Sequence, residues 1–265
     1  MNKIDFDLKI KELKNTNGSL YGYGDKRYES KDEFEKFCEC FTNENKKKYS
    51  KELSGEKPNM ASYASSSRFI YKTFHNTSSL VKINIYNTKK FEFEKNIKGG
   101  VRANFDMYCE NDKNCYYFEG KCHEIFDSHS PVFKKSYAKI FDKFNIKYET
   151  YGKNHESIRI TDDIFGNKKG RKVFDIKQFI CHVLAINNNK NTNGQDYLIY
   201  LLYAPMELKE LNDVIGIYKE FEDEYRSAIS YIQKKVDTNK SIIFKLFYKI
   251  SIEDDEPIVF EEVSL

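Results

Sequence analysis

Three residues within 102–121 have the types and the spacing for phosphodiester hydrolysis. Asp106 lies in the alternating run RANFDMY, and Glu119 and Lys121 follow in CYYFEGKC, with twelve residues between the two acids. Two carboxylates on rigid strands can hold Mg²⁺, which keeps several waters and is completed by a substrate phosphate. A lysine beside such a metal can orient the attacking water or stabilise the charge that develops on the phosphoryl group. The pattern therefore predicts metal-dependent cleavage of a phosphodiester.

Period-two alternation predicts that these residues lie on two antiparallel strands. It places Asp106 on the face opposite Phe105 and Met107, away from the core. On the second strand it places Glu119 and Lys121 together on one face. The turn-rich segment CENDKN between the two runs predicts a hairpin, so the two acids and the lysine should meet on one side of it.

The segment from Asp106 to Glu119-Gly-Lys121 resembles the motif of the PD-(D/E)XK nuclease superfamily, which has the restriction-endonuclease-like fold. The resemblance extends over about residues 65–205. SSSRFIYKTF would be an upstream helix, FEFE the strand before the aspartate strand, and YFEGKCHE the strand that carries Glu-x-Lys. The proline that names the superfamily is replaced by Phe105.

Within that superfamily the chain is most similar to a bacterial branch with an ANxD strand followed by the pattern E-x-K-x-x-E. Glu124 occupies the last position of that pattern. The resemblance implies that Asp106 and Glu119 bind Mg²⁺, for which Mn²⁺ would substitute, and that Lys121 positions or activates water. Glu124 and Glu94 would support this cluster.

The implied fold is α/β: a restriction-endonuclease-like mixed central β-sheet flanked by helices, with an α-helical N-terminal elaboration. We expect one domain over 1–265, with the elaboration at 1–60, the catalytic core at 61–205 and a C-terminal helix and strands at 206–265. Hydrophobic residues make up 40% of the chain, enough to fill such a core. Alternation also predicts a strand in LVKINIY, 80–86, and helical spacing predicts a helix that includes Phe133, Tyr137 and Phe144.

A further helix is predicted for VFDIKQFICHVLAI, residues 173–186. Asp175, Gln178 and His182 form a polar stripe on its otherwise apolar surface. Related nucleases place a glutamine-bearing helix across the sheet near the metal. The resemblance therefore implies that Gln178 contacts a phosphate or orients a water, and a polar network bonded to neighbouring backbone is the alternative.

The net charge of +3 creates no global field, so a nucleic-acid partner would need local basic patches. One patch lies in the predicted helix after the Glu-x-Lys strand, and the other in a glycine-broken loop before the glutamine-bearing helix. Solvated lysines are the alternative for the first patch. The candidate DNA-binding residues are Lys134, Lys135, Lys168, Lys169, Arg171 and Lys172.

Other classes of protein are disfavoured by the sequence. The six cysteines include no CxxC pair, so a zinc site of the usual spacing is not expected. No apolar run approaches the ~20 residues that cross a membrane, and no signal peptide is recognisable. We expect a soluble, cytoplasmic protein with DNA as its partner and no membrane association.

The function expected from the resemblance is Mg²⁺-dependent endonuclease cleavage of DNA, in restriction or defence. Two alternatives stay open. One is a structure-specific or repair nuclease with the same residues, and the other is a non-catalytic DNA-binding or interaction protein that retains the fold. A homodimer would suit a nuclease that cuts both strands of a duplex with one centre per chain.

Overall fold

The computed structural model describes residues 31–39, 41–50, 53–54, 60, 65–98, 101–122, 124–126, 129–165, 172–189, 194–204, 212–236, 241–250 and 258–265. The helices in these ranges are α1 (Lys31–Glu39), α2 (Asn43–Lys48), α3 (Ser66–Phe74), α4 (Ser78–Val81), α5 (Ala138–Lys143), α6 (Ile176–Asn188) and α7 (Asn212–Lys235). The strands are β1 (Lys90–Lys98), β2 (Arg102–Glu110), β3 (Asn114–Lys121), β4 (Val132–Lys134), β5 (Tyr148–Tyr151), β6 (Ser157–Ile160), β7 (Gln195–Tyr203), β8 (Ile242–Lys249) and β9 (Phe260–Val263).

A six-stranded mixed sheet forms the centre of the fold, in the order β1-β2-β3-β7-β8-β9. β1, β2 and β3 pair antiparallel, β7 lies parallel to β3 and to β8, and β9 is antiparallel to β8. Parallel neighbours need a crossover connection, and α6 and α7 lie in the two crossovers. Most of β7 is buried, as expected for a strand that is covered on both faces.

The helices cover both faces of this sheet. Gly120 faces Ile70 of α3, whereas its strand neighbours Glu119 and Lys121 contact Gln178 of α6. Successive residues of a strand point to opposite faces, so α3 and α6 lie on opposite sides of the sheet. The expected α/β fold, a mixed sheet flanked by helices, is confirmed at this level. None of the described helices is long and apolar enough to cross a membrane.

A second sheet, which the sequence did not predict, is inserted between β3 and α6. It has three antiparallel strands in the order β4-β6-β5, each only three or four residues long. The helix expected to include Phe133 is wrong at its start, because Phe133 lies in β4 and is paired with Ile158 of β6. Both side chains are buried, so strand pairing outweighs the helical spacing there.

The strand predicted at 80–86 is also wrong. α4 ends at Val81, and turns follow it. Asn84 and Asn87 have positive φ angles of 62° and 56°, a backbone region that asparagine tolerates better than most residues. The side chains of Leu80 and Ile85 are buried without strand pairing. The alternation in LVKINIY therefore reflects two turns that bury apolar side chains in the core.

Candidate functional site

The candidate site lies where β2 and β3 separate. The two strands pair only from Met107↔Phe118 to Glu110↔Cys115, although β2 begins at Arg102 and β3 ends at Lys121. Residues 102–106 and 119–121 are not paired with each other, although they pair with β1 and β7 respectively. We call these two diverging ends the β2–β3 fork. All three residues of the proposed motif lie in this fork or at its base.

Side chains replace the missing backbone pairing of the fork. The Oδ2 atom of Asp106 accepts a hydrogen bond from the Gly120 N–H at 2.7 Å. The Nε2 atom of His182 on α6 lies 3.0 Å from the Asn104 carbonyl oxygen. Because a carbonyl only accepts, Nε2 carries the hydrogen and donates it. The fork is thus a fixed structure, with Asp106 bonded to the strand that carries the other two motif residues.

Gly120 allows α3 to approach the fork closely. A Cβ atom at this position would lie 2.6 Å from Cγ1 of Ile70 and 3.3 Å from Oδ2 of Asp106. Ile70 is fully buried, so its side chain has little room to move. The residue between Glu119 and Lys121 is therefore a glycine for steric reasons.

Glu119, Lys121 and Gln178 form a closed triangle of hydrogen bonds. The Lys121 ammonium donates to Glu119 Oε1 at 2.8 Å and to Gln178 Oε1 at 2.6 Å. The Gln178 amide nitrogen donates to Glu119 Oε1 at 2.7 Å. An ammonium has three donors, and the third of Lys121 has no partner in the described part of the chain. It remains available for a water or a substrate oxygen.

One oxygen of Glu119 is also unused. Oε1 accepts both hydrogen bonds of the triangle, whereas Oε2 is buried and has no hydrogen-bond partner among the described residues. The Nε2 atom of His182 lies 3.7 Å from Oε2. A buried acceptor without a partner is costly, so it indicates a position where a cation or donor would be stabilised.

Asp106 lies in a concentrated negative field. Burial raises the pKa of Asp106 well above its ordinary value, and the nearby carboxylates of Glu119 and Glu94 raise it further. The Gly120 N–H and the charge of Lys121 offset this only in part. Asp106 is half-buried, whereas Glu119 and Lys121 are buried. Asp106 is therefore the member of the trio most accessible to solvent.

Glu94 lies opposite Asp106 on β1 and has a left-handed backbone conformation. The register pairs Phe93 with Met107 and Lys95 with Phe105, which leaves Glu94 opposite Asp106. Its φ angle is +50°, an unfavourable value for glutamate that costs of order 1 kcal/mol or more. The Ser67 hydroxyl of α3 donates to Glu94 Oε1 at 2.9 Å.

The other nearby acids take different positions. Glu92, two residues before Glu94, forms an ion pair with Lys95 at 2.8 Å. Glu124 accepts a hydrogen bond from the Cys122 N–H at 2.8 Å. Burial alone would lower the pKa of Lys121, but the Glu119 and Glu124 carboxylates outweigh it and raise that pKa. Lys121 is therefore a cation at neutral pH.

The polar stripe of α6 faces the fork. Asp175 is the N-cap of the helix and accepts a hydrogen bond from the Gln178 N–H at 3.0 Å. Burial lowers the pKa of His182, although Glu119 opposes this effect, so the ring is neutral. Its Nδ1 atom has no hydrogen-bond partner in the ranges that the structure describes. The polar stripe in the sequence indicated His182 as a candidate. Its hydrogen bond with Asn104 could not be predicted, because it forms where β2 and β3 no longer pair.

The basic candidates do not share one environment. Lys134 ends β4 and Lys135 follows it, and both side chains are exposed. The ammonium of Lys172 lies 3.6 Å from the buried carboxylate of Glu224 and above the ring of Phe165. Its charge thus has an acidic partner within the protein. The remaining candidates, Lys168, Lys169 and Arg171, lie outside the described residues.

The fork fits a metal held by few protein ligands rather than a complete cage. Among the described residues, no group of three or more His, Cys, Asp or Glu side chains has metal-binding geometry. Mg²⁺ does not require one, because it keeps several waters and binds through one or two carboxylates. Asp106, in a field of negative charge, and the unpaired Oε2 of Glu119 fit that donor set.

No protein-family model, no curated protein and no solved structure matches this chain. The site is therefore interpreted from its own geometry and chemistry.

Proposed function

We propose that this protein is a Mg²⁺-dependent endonuclease that hydrolyses DNA phosphodiester bonds at the β2–β3 fork. The observation that carries the proposal is the joint placement of two carboxylates and a lysine cation in one fork. Asp106 and Glu119 repel each other, and one donor of Lys121 has no partner among the described residues. A divalent cation would relieve the repulsion, and an anionic phosphate would satisfy the free donor.

The order of elements supports this proposal. α3, β1, β2, β3, α6 and β7 follow one another in the order that the resemblance to the PD-(D/E)XK superfamily implies, with the small sheet inserted between β3 and α6. α6 carries the glutamine expected beside the metal. The restriction-endonuclease-like fold is therefore part of the proposal.

Each residue then has a role that follows from its contacts. Asp106 and the Oε2 atom of Glu119 would hold the cation, which would supply Lewis-acid polarisation of a phosphoryl group. Lys121, charged at neutral pH, directs its third N–H at a phosphoryl oxygen and stabilises the charge that develops there. Gln178 fixes the positions of both Glu119 and Lys121.

The test is cleavage of supercoiled plasmid by the purified protein with Mg²⁺, with Mn²⁺ or with EDTA. Asp106→Asn removes a metal ligand with little change of shape and should abolish metal-dependent cutting. The matched control is Glu92→Gln, which neutralises an acid on the neighbouring strand that is paired with Lys95. It should cut as the wild type does.

Binding of Mn²⁺ is measured in parallel by calorimetry. A wild-type protein that neither cuts nor binds metal would refute the proposal and favour a non-catalytic DNA-binding protein. If cutting occurs, discrete fragments from unmethylated genomic DNA would indicate restriction. A preference for branched substrates would indicate repair.

A further inference from the structure

The inserted sheet, which we define as residues 132–160 with β4, β5, β6 and α5, lies at a functionally important point of the chain. It follows β3, which carries Glu119 and Lys121, and precedes α6, which carries Gln178. The central sheet does not need it, because β3 and β7 pair directly. It is therefore an addition to the core, placed between two elements of the candidate site.

The inserted sheet is a strongly basic segment of the protein. Within 132–160 there are seven basic and three acidic residues, a net charge of +4, whereas the whole chain has a net charge of +3. The remainder of the chain is thus slightly acidic. The basic residues are Lys134, Lys135, Lys139, Lys143, Lys147, Lys153 and Arg159.

These charges are exposed and not neutralised by the protein. All six lysines are exposed, and none forms an ion pair with a residue in the described ranges. Two of the three acids in this segment have other partners: Asp142 accepts from the Tyr148 hydroxyl at 3.0 Å, and Glu156 accepts from the Asn154 N–H at 3.0 Å. The third, Glu149, lies opposite Arg159 in the strand register. Elsewhere, exposed lysines such as Lys89 do pair with an acid.

One face of the inserted sheet is open. Phe133 and Ile158 are buried on the other face. By register, Lys134, Ser157 and Tyr151 form one row across the open face. The next residue of β6 on this face is Arg159, whose guanidinium carbon lies 3.9 Å from the centre of the Tyr151 ring. Tyr151 is 41% exposed, so an aromatic ring and a stacked guanidinium face solvent beside a lysine.

The inserted sheet is fixed relative to the fork. The thiol of Cys181, which precedes His182 on α6, lies 3.7 Å from the Tyr137 hydroxyl. On its other side, Lys235 of α7 donates to the Asn145 carbonyl oxygen at 2.6 Å and pairs with Asp162 at 3.1 Å. These contacts attach it to both α6 and α7, so a ligand held there keeps a defined position with respect to α6.

We propose that the open face of the inserted sheet binds the phosphate backbone of duplex DNA and so delivers substrate to the fork. This rests on the proposed function for the choice of DNA as ligand. Exposed lysines without acidic partners contribute little to stability, but each one that meets a phosphate releases condensed counterions. Binding of this kind is sequence-independent and falls steeply with salt concentration.

The test is the affinity for a short fluorescent DNA duplex, measured by anisotropy in EDTA between about 50 and 200 mM salt. Lys134→Glu/Lys135→Glu should weaken binding by roughly tenfold or more and make the slope of log K against log salt shallower by about two. Lys147→Glu/Lys153→Glu, a second pair in the same sheet, should act in the same direction. Thermal melting verifies that each variant is folded.

The matched control is Lys46→Glu/Lys47→Glu, which changes the same charge at two adjacent exposed lysines of α2. It should leave affinity within about twofold. Equal weakening by the control and both test pairs, or no weakening by either test pair, would refute the inference. So would a wild-type preference for duplex RNA or for anionic lipid vesicles over DNA. Because EDTA prevents cleavage, this binding result is independent of whether the fork is catalytic.

Discussion

The β2–β3 fork and the inserted sheet differ in how their charged side chains are stabilised. In the fork, Glu119 and Lys121 are buried and pair with each other and with Gln178. In the inserted sheet, six lysines are exposed and none forms an ion pair with a described residue. Buried charges must be compensated, whereas exposed charges are stabilised by water alone.

This difference separates two tasks. A fixed geometry at low dielectric strengthens electrostatic interactions, which suits chemistry on a phosphate. A solvated set of cations next to it suits reversible, salt-dependent attraction of a polyanion. If the division is real, substitutions in the fork should affect stability strongly, and those in the inserted sheet should affect binding without affecting stability.

Removal of the Lys121 charge should have the largest effect. Lys121→Met leaves the Glu119 carboxylate buried without its cation and should lower the free energy of unfolding by about 3–5 kcal/mol. The double variant Glu119→Gln/Lys121→Met removes both charges and should recover most of that loss. Urea unfolding of both variants and of Glu119→Gln completes a double-mutant cycle. Purely additive losses would show that the two charges do not depend on each other.

A methyl group at Gly120 should be the next most disruptive change. Gly120→Ala brings a Cβ atom to 2.6 Å from Cγ1 of the buried Ile70, so we expect a loss of about 1–3 kcal/mol. Ile70→Ala in the same chain removes Cγ1, the atom that obstructs the new methyl group. The double variant should be more stable than the sum of the single effects predicts. If Gly120→Ala unfolds at the urea concentration of the wild type, α3 does not pack as closely as described.

A smaller effect is expected where the inserted sheet meets α7. Burial alone would raise the pKa of Asp162. Hydrogen bonds from the Lys147 N–H, the Tyr231 hydroxyl and Lys235 outweigh burial and lower that pKa. A carboxylate with a lowered pKa in the folded state stabilises the fold above its unfolded pKa of about 4, and this is lost as pH falls through the folded value.

Asp162→Asn should therefore cost roughly 1 kcal/mol at neutral pH and flatten the fall in stability below about pH 5. Thermal melting over an acid pH series checks this. The control is Asp163→Asn, which removes the same charge from the neighbouring, exposed residue. An unchanged pH profile for Asp162→Asn would mean that this contact does not anchor the inserted sheet.

The smallest effect on stability should come from the lysines that we expect to matter most for binding. Lys134→Ala/Lys135→Ala should change the free energy of unfolding by less than about 0.5 kcal/mol, because exposed unpaired charges contribute little. Urea unfolding measures it directly. A loss comparable to that of Lys121→Met would contradict the division of tasks between the two regions.

The sequence predicted the central region better than the inserted one. β2, β3 and β7 are long and apolar, so their existence and order could be predicted, as could α6 and α7. The inserted strands have only three or four residues within a charged segment, and their pairing is fixed by contacts such as Phe133 with Ile158. Such pairing leaves no periodic signal in so short a stretch.

The same holds for the details of the site. Residue types and spacing pointed to Asp106, Glu119, Lys121 and Gln178, and the α6 stripe included His182. The fork was not predictable, because alternation assumes that two strands stay paired along their length. The φ angle of +50° at Glu94 was not predictable either, although the register is continuous on both sides and places Glu94 opposite Asp106. Sequence periodicity does not reveal a single residue with a left-handed backbone conformation.

The most direct test of the whole account is single-turnover cleavage of a DNA duplex with Mg²⁺, at protein concentrations that saturate binding. Asp106→Asn should bind the duplex as tightly as the wild type but leave it intact. Lys134→Glu/Lys135→Glu should need more protein to saturate the duplex and then cut it at the wild-type rate. Metal-dependent cleavage by Asp106→Asn at the wild-type rate would contradict the account, because the fork would then not be where the chemistry occurs.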